Sequence, residues 1–127
     1  MTQSKRHTAA LFLTIGLAAT IAYFTLSPPQ SEPTFEFLSD KAEHAIAFAA
    51  LVFPCALLFQ RSFIWIVPAA LAFGAGIEFI QPFVGRTAEI ADFLADFAGV
   101  AFGLILGRIG RRWLGINRLP EQKRKKN

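Results

Sequence analysis

Charged residues are scarce in this chain, and their absence from long stretches is its most informative feature. Only 17% of the residues are charged, and no Asp, Glu, Lys or Arg occurs within residues 7–31, 44–60 or 62–77. A helix needs roughly 17–25 apolar residues to cross the hydrocarbon core of a bilayer, and each stretch is about that long. With 54% hydrophobic residues, the composition favours an integral membrane protein over a soluble domain.

Cysteine is nearly absent as well. The single cysteine, Cys55, excludes a disulfide within the chain and leaves the redox compartment open. The net charge of +4 would suit nucleic acid, but the positive residues cluster beside the first apolar stretch and in the C-terminal tail. Basic segments beside membrane spans bind anionic lipid headgroups and determine membrane topology. We therefore expect membrane lipids and no nucleic acid as partners.

The apolar stretches predict an all-α fold, a four-helix transmembrane bundle formed by residues 1–127 as a single domain. We expect the spans at residues 9–26, 43–59, 63–80 and 88–109, followed by a basic tail over residues 110–127. Thr87 is the expected N-cap of the fourth helix, because a threonine hydroxyl can accept a free amide at a helix start.

The distribution of basic residues predicts the orientation. Four spans put both termini on one side of the membrane, together with the short turn at Arg61. That side then carries all 13 Lys and Arg residues except Lys41 and Arg86. Because cytoplasmic loops are enriched in Lys and Arg, we expect both termini to be cytoplasmic.

The unusual polar residues fall at the opposite end of the predicted bundle, where they form a candidate site. Ionisable groups inside the apolar thickness are costly and normally face the bundle interior with a partner. We expect Lys41, His44 and Arg86 to pair with acids. The candidate ligand-binding residues are Asp40, Lys41, His44, Glu78, Gln81, Arg86, Asp92 and Asp96.

Helical spacing supports a shared site. Asp40 and His44 are four residues apart, as are Asp92 and Asp96, so each pair lies on one helix face. The alternative is a ring of salt bridges that only locks the helices together. Below Asp96 the same stripe continues as Gly99, Gly103 and Gly107, which favours close helix packing.

Two segments, DKAEHAIAF and GIEFIQPFVGRTAEIADFLADFAGVAFG, resemble the VanZ-like family of small bacterial membrane proteins. The resemblance covers roughly residues 38–107 and joins a D-K-x-x-H motif to E-x-x-Q and to an arginine with a following aspartate. The family usually has Asn four residues after that aspartate, where this chain has Asp96. The matching residues are Asp40, Lys41, His44, Glu78, Gln81, Arg86, Asp92 and Gly99.

The resemblance implies a multi-pass protein of the bacterial plasma membrane that acts at the cell envelope. The family is named for low-level resistance to the glycopeptide antibiotic teicoplanin. Our first hypothesis is binding of an envelope lipid, a phosphate or a lipid-linked cell-wall precursor. Lys41 and Arg86 would bind the anionic groups of this ligand. The side chains that would orient it are those of Glu78, Gln81 and Asp92.

An enzyme acting on a lipid-linked substrate is the alternative. No catalytic residue is assigned, and the candidates are His44, Glu78 and Asp92. His44 is the natural acid or base, since the ordinary pKa of an imidazole is about 6.5. Ser39 and Thr87 lie nearby without any sign of activation as nucleophiles, and the known phosphatase and protease signatures are absent.

Two further possibilities concern partners and metals. The chain would be a structural subunit if its glycine stripe packed on a larger envelope complex, and a homo-oligomer is a further possible partner arrangement. A divalent ion would find ligands in His44, Glu78, Asp92 and Asp96. We expect no metal and no cofactor, because Lys41 and Arg86 would repel a cation.

Overall fold

The computed structural model describes residues 3–28, 39–59 and 61–116, and no strand occurs in these ranges. They form four α-helices, and a short 3₁₀ helix follows the third. The helices are α1 (Gln3–Leu26), α2 (Asp40–Leu58), α3 (Phe63–Ile80) and α4 (Ile90–Trp113), and the 3₁₀ helix is Gln81–Val84.

All four helices are long and apolar enough to cross a membrane. Their outer faces carry large apolar side chains, such as Phe12, Phe79 and Phe102, that are more than half exposed. An apolar surface of this extent is foreign to a soluble monomer and suits a helix bundle that faces lipid. For the described residues, the prediction of an all-α fold with four helices long and apolar enough to span a membrane is therefore confirmed.

Neighbouring helices run in opposite directions. At one end of the bundle, Arg6 in α1 donates to the Ile116 carbonyl after α4 at 3.4 Å, and the His7 ring stacks on Phe59 with centroids 4.0 Å apart. At the other end, Gln81 Nε2 donates to the Thr25 carbonyl of α1 at 3.4 Å. We call the first end the basic end and the second the polar end. The described chain begins and finishes at the basic end.

Several helix boundaries differ from the predicted ones. Helix α1 begins at Gln3 instead of residue 9, and α2 begins at Asp40 because Ser39 caps it, its Oγ accepting from the Ala42 amide at 3.3 Å. The predicted bounds of α3, residues 63–80, agree with the structure.

The predicted start of α4 at residue 88 is wrong. Helix α4 begins at Ile90, and Glu89 occupies the N-cap position in place of Thr87. The Glu89 carbonyl accepts the amides of Asp92 and Phe93, which fixes the first turn two residues later than expected. The helix also continues to Trp113, into the segment predicted as a tail, and residues 117–127 lie outside the described ranges.

Helix α2 is the centre of the bundle and packs on α1, α3 and α4, most extensively on α4. The α2–α4 interface depends on three buried glycines of α4. A Cβ atom at Gly99 would overlap the Ala45 carbonyl, one at Gly103 would overlap the Ala49 carbonyl, and one at Gly107 would overlap Ala56. The glycine stripe thus packs closely on a neighbouring helix, as predicted, and that helix is α2 of the same chain.

Helix α2 covers the glycine stripe, so the stripe offers no surface to another protein. The hypothesis that the stripe docks onto an envelope complex is therefore wrong, since these glycines are buried within the chain. An oligomer or complex formed through another face stays a prediction.

Replacing Gly99 with Ala should destabilise the bundle. The added methyl has no space against the α2 backbone, and overpacking of this kind costs about 1–3 kcal/mol. Thermal unfolding in detergent, followed by circular dichroism, measures the effect. Gly76→Ala is the matched control, because a Cβ atom there meets nothing within 4 Å. Equal unfolding midpoints for the two variants would contradict the close approach of α2 and α4.

Candidate functional site

A buried hydrogen bond between α2 and α4 forms the centre of the polar end. His44 Nδ1 lies 2.8 Å from Asp96 Oδ1, and the two side chains are 8% and 0% exposed. Asp96 lies six residues into α4, at a depth of about 9 Å. This hydrogen bond holds the imidazole in one orientation.

Helix α3 supplies the third wall of the site. Glu78 accepts the Glu89 amide through Oε2 at 2.9 Å, which ties the end of α3 to the start of α4. One turn deeper, Gly74 lies against Asp96, and a Cβ atom there would be 2.7 Å from Asp96 Oδ2 and 3.2 Å from the Phe48 ring. The missing side chain at Gly74 makes room for the buried carboxylate.

Lys41 lies at the rim of the site. Its Nζ is 3.0 Å from Glu89 Oε2 and 3.4 Å from Asp92 Oδ1. The Lys41 and Glu89 side chains are about half exposed, whereas Asp92 is 4% exposed, so the pair spans from the surface to the interior. The predicted pairing of Lys41 and His44 with Asp92 and Asp96 is therefore present.

The remaining predicted residues lie around this centre. Arg86 Nε donates to the Ser27 carbonyl at 3.1 Å, near the end of α1. Gln81 is buried and also contacts the end of α1, through Thr25. Asp40 is exposed at the start of α2. Arg86 thus connects the loop before α4 to α1, and its pairing with acids stays a prediction.

Four buried oxygen atoms of the site have no hydrogen-bond partner within the part of the chain that the structure describes. They are Glu78 Oε1, Gln81 Oε1, Asp92 Oδ1 and Asp96 Oδ2. Asp92 Oδ1 has the Lys41 ammonium 3.4 Å away, too far for a good hydrogen bond. A buried acceptor without a donor costs roughly 1–3 kcal/mol, so the other three call for a donor from elsewhere.

The donor set also has the composition of a cation site. Asp40, His44 and Asp92 form one group, and His44, Glu78 and Asp96 another, in which one ligand atom of each residue lies within 4.8 Å of the others. One imidazole nitrogen with carboxylate oxygens suits a divalent ion. The repulsion expected from Lys41 is reduced by its two acidic partners. The expectation of no metal stays a prediction.

Two residues of the site were not selected from the sequence. Glu89 lies outside the predicted set, yet its side chain pairs with Lys41 and its backbone amide donates to Glu78. Gly74 went unnoticed, although it precedes Glu78 by four residues and therefore shares its helix face. That spacing was the available signal for Gly74, whereas nothing local marked Glu89.

Comparison with known proteins agrees with the motif resemblance. A sequence model described as VanZ/LLP1 matches residues 2–111, which include α1, α2, α3 and nearly all of α4. No curated protein and no solved structure matches the chain. The matched region contains every residue of the polar site, and it extends well beyond the motifs themselves. The chain belongs to the VanZ/LLP1 family.

Proposed function

We propose that the polar end binds the headgroup of an envelope lipid that carries hydroxyl or amine donors beside a phosphate, such as a lipid-linked cell-wall precursor. The observation that carries this proposal is the set of buried acceptors at Glu78, Gln81 and Asp96 without donors among the described residues. Carboxylate and amide oxygens accept hydrogen bonds, so a ligand with hydrogen-bond donors would complete them. Sugar hydroxyls and amines are such donors, whereas the ionised phosphate of a diester or diphosphate linkage is not.

The Lys41 side chain at the rim of the site favours a ligand that carries a phosphate. The Lys41 ammonium is half exposed at the mouth of the site, beside the lipid-facing surface. An anionic headgroup can exchange with Glu89 for this ammonium, since an exposed ion pair is worth only about 0–1 kcal/mol. Donor groups of the same headgroup would then reach the acceptors behind Lys41.

The orientation of the chain is part of the proposal. The basic end carries Arg6, Arg61, Arg108, Arg111 and Arg112 among the described residues, and we infer that it faces the cytoplasm. The polar end would then open toward the outer leaflet of the bacterial plasma membrane. A protein that occupies or hides an envelope precursor there would reduce its capture by teicoplanin, which links the site to glycopeptide resistance.

Glu78→Gln and Asp96→Asn should each weaken headgroup binding about tenfold or more. Each change halves the acceptor capacity at one carboxylate, and a hydrogen bond to a charged group is worth about 1.5–3 kcal/mol. The measurement is native mass spectrometry in nanodiscs, with a polyprenyl-diphosphate-linked disaccharide-pentapeptide as the probe.

Glu43→Gln is the matched control, because Glu43 lies in the first turn of α2 and has no place in the site. Asp96→Asn keeps the side-chain shape and can still accept from His44, so the fold should survive. Unchanged binding in well-folded Glu78→Gln and Asp96→Asn proteins would refute the proposal.

A membrane enzyme is the second candidate function. The short contact between His44 Nδ1 and Asp96 Oδ1 favours it, because a carboxylate that fixes one imidazole nitrogen leaves Nε2 for proton transfer. In this reading the nucleophile is water, since the neighbouring hydroxyls have other roles: Ser39 caps α2. Lys41 would stabilise negative charge that develops on a phosphate.

His44→Gln should abolish turnover if the protein is an enzyme. General acid–base catalysis contributes typically about 10²–10⁴-fold, so the loss should be of that size. Release of the headgroup or phosphate from the same lipid-linked probe, followed by chromatography, gives the rate. If the unaltered protein binds the probe but forms no product, the protein is not an enzyme for this substrate and the headgroup-binding function stands.

A further inference from the structure

A second polar cavity lies at the basic end, remote from the site described above. Its volume is about 230 Å³, and it is formed by the end of α2, the turn before α3 and the last turns of α4. Three arginines line it, Arg108, Arg111 and Arg112, together with Ser62 and Phe63. No acidic residue is among the side chains that line it within the described part of the chain. We call it the arginine pocket.

Two of the arginines are held in place by contacts with α2 and α3. Arg111 is buried, and its Nε and Nη2 donate to the Ala56 carbonyl at 3.3 and 3.2 Å. The guanidinium carbon of Arg108 lies 5.2 Å from the centre of the Phe63 ring, within the range of a cation–π contact. The Arg108 guanidinium is thus held at the cavity by an uncharged aromatic ring, and the exposed Arg112 lines the same cavity.

The arginine pocket lies at the depth in the membrane where lipid phosphates are expected. Arg108 lies eighteen residues after Ile90, so about 27 Å of helix separates it from the start of α4. The hydrocarbon core is about 30 Å thick, which puts Arg108 near the headgroups of the leaflet opposite the polar site. Phe63 lines the pocket and is exposed, and the exposed Trp113 and Leu114 follow Arg112 directly in the sequence, so these side chains provide apolar surface for acyl chains.

We propose that the arginine pocket binds the phosphate of an anionic phospholipid, with its acyl chains lying along α3 and α4. A guanidinium presents paired donors that match phosphate oxygens, and basic pockets between transmembrane helices are established sites for anionic headgroups. The site is separate from the proposed function, because it lies at the other end of the bundle and shares no residue with the polar site.

Arg108→Gln and Arg112→Gln test the pocket, since both side chains are exposed and their loss should spare the fold. Retention of phosphatidylglycerol over phosphatidylcholine is measured by native mass spectrometry after extraction from vesicles that contain both lipids. The full-length protein should retain phosphatidylglycerol preferentially, and each variant should lower that retention about tenfold, as expected for loss of a charge-assisted hydrogen bond.

Arg61→Gln is the control of equal charge, because Arg61 is exposed at the same end but does not line the pocket. It should retain phosphatidylglycerol as the unaltered protein does. An equal loss in Arg61→Gln would show that net charge alone attracts the lipid and would overturn the proposal. Retention of inorganic phosphate in place of the lipid, or full lipid retention by Arg108→Gln, would overturn it as well.

Discussion

The close approach of α2 and α4 is the constraint on which the rest of the structure depends. Three glycines of α4 let the backbone of α2 come near enough for Ala45, Ala49 and Ala56 to fill the interface. Above them, the same two helices bring His44 and Asp96 into hydrogen-bonding distance. Without a favourable hydrophobic effect between helices in lipid, packing of this kind is the main force that holds a bundle together.

Charge balance at the polar end argues for a ligand over a purely structural role. A structural ring of ion pairs would satisfy its buried polar atoms, because an unpartnered charge away from water costs several kcal/mol. The Lys41–Glu89 contact at 3.0 Å fits that description. The deeper group does not, since Glu78 Oε1 and Asp96 Oδ2 have no donor among the described residues, although the His44 imidazole lies near both carboxylates. This difference separates the paired rim from an interior whose acceptors lack donors among the described residues.

The sequence predicted the helices and their order, because these depend on local patterns. Stretches without charged residues predict the membrane spans. The four-residue spacing places Asp92 and Asp96 on one face of α4, the face that continues as the glycine stripe. The pairings within the site depend on how helices rotate against one another, which no local pattern specifies. No local pattern therefore marked the contact of Arg86 with the end of α1, or the contact of the Glu89 amide with Glu78. The arginine pocket was missed for the same reason, since Arg108 and Phe63 are distant in sequence.

The central claim is that a headgroup donor fills the interior of the polar end. The most direct measurement is a crystal structure of the protein grown in a lipidic phase that contains the lipid-linked precursor. The account predicts ligand density between α2, α3 and α4, with donor atoms within hydrogen-bonding distance of Glu78 Oε1 and Asp96 Oδ2. A dry, closed interior in which these two carboxyl groups share a proton and bond only to each other would contradict it.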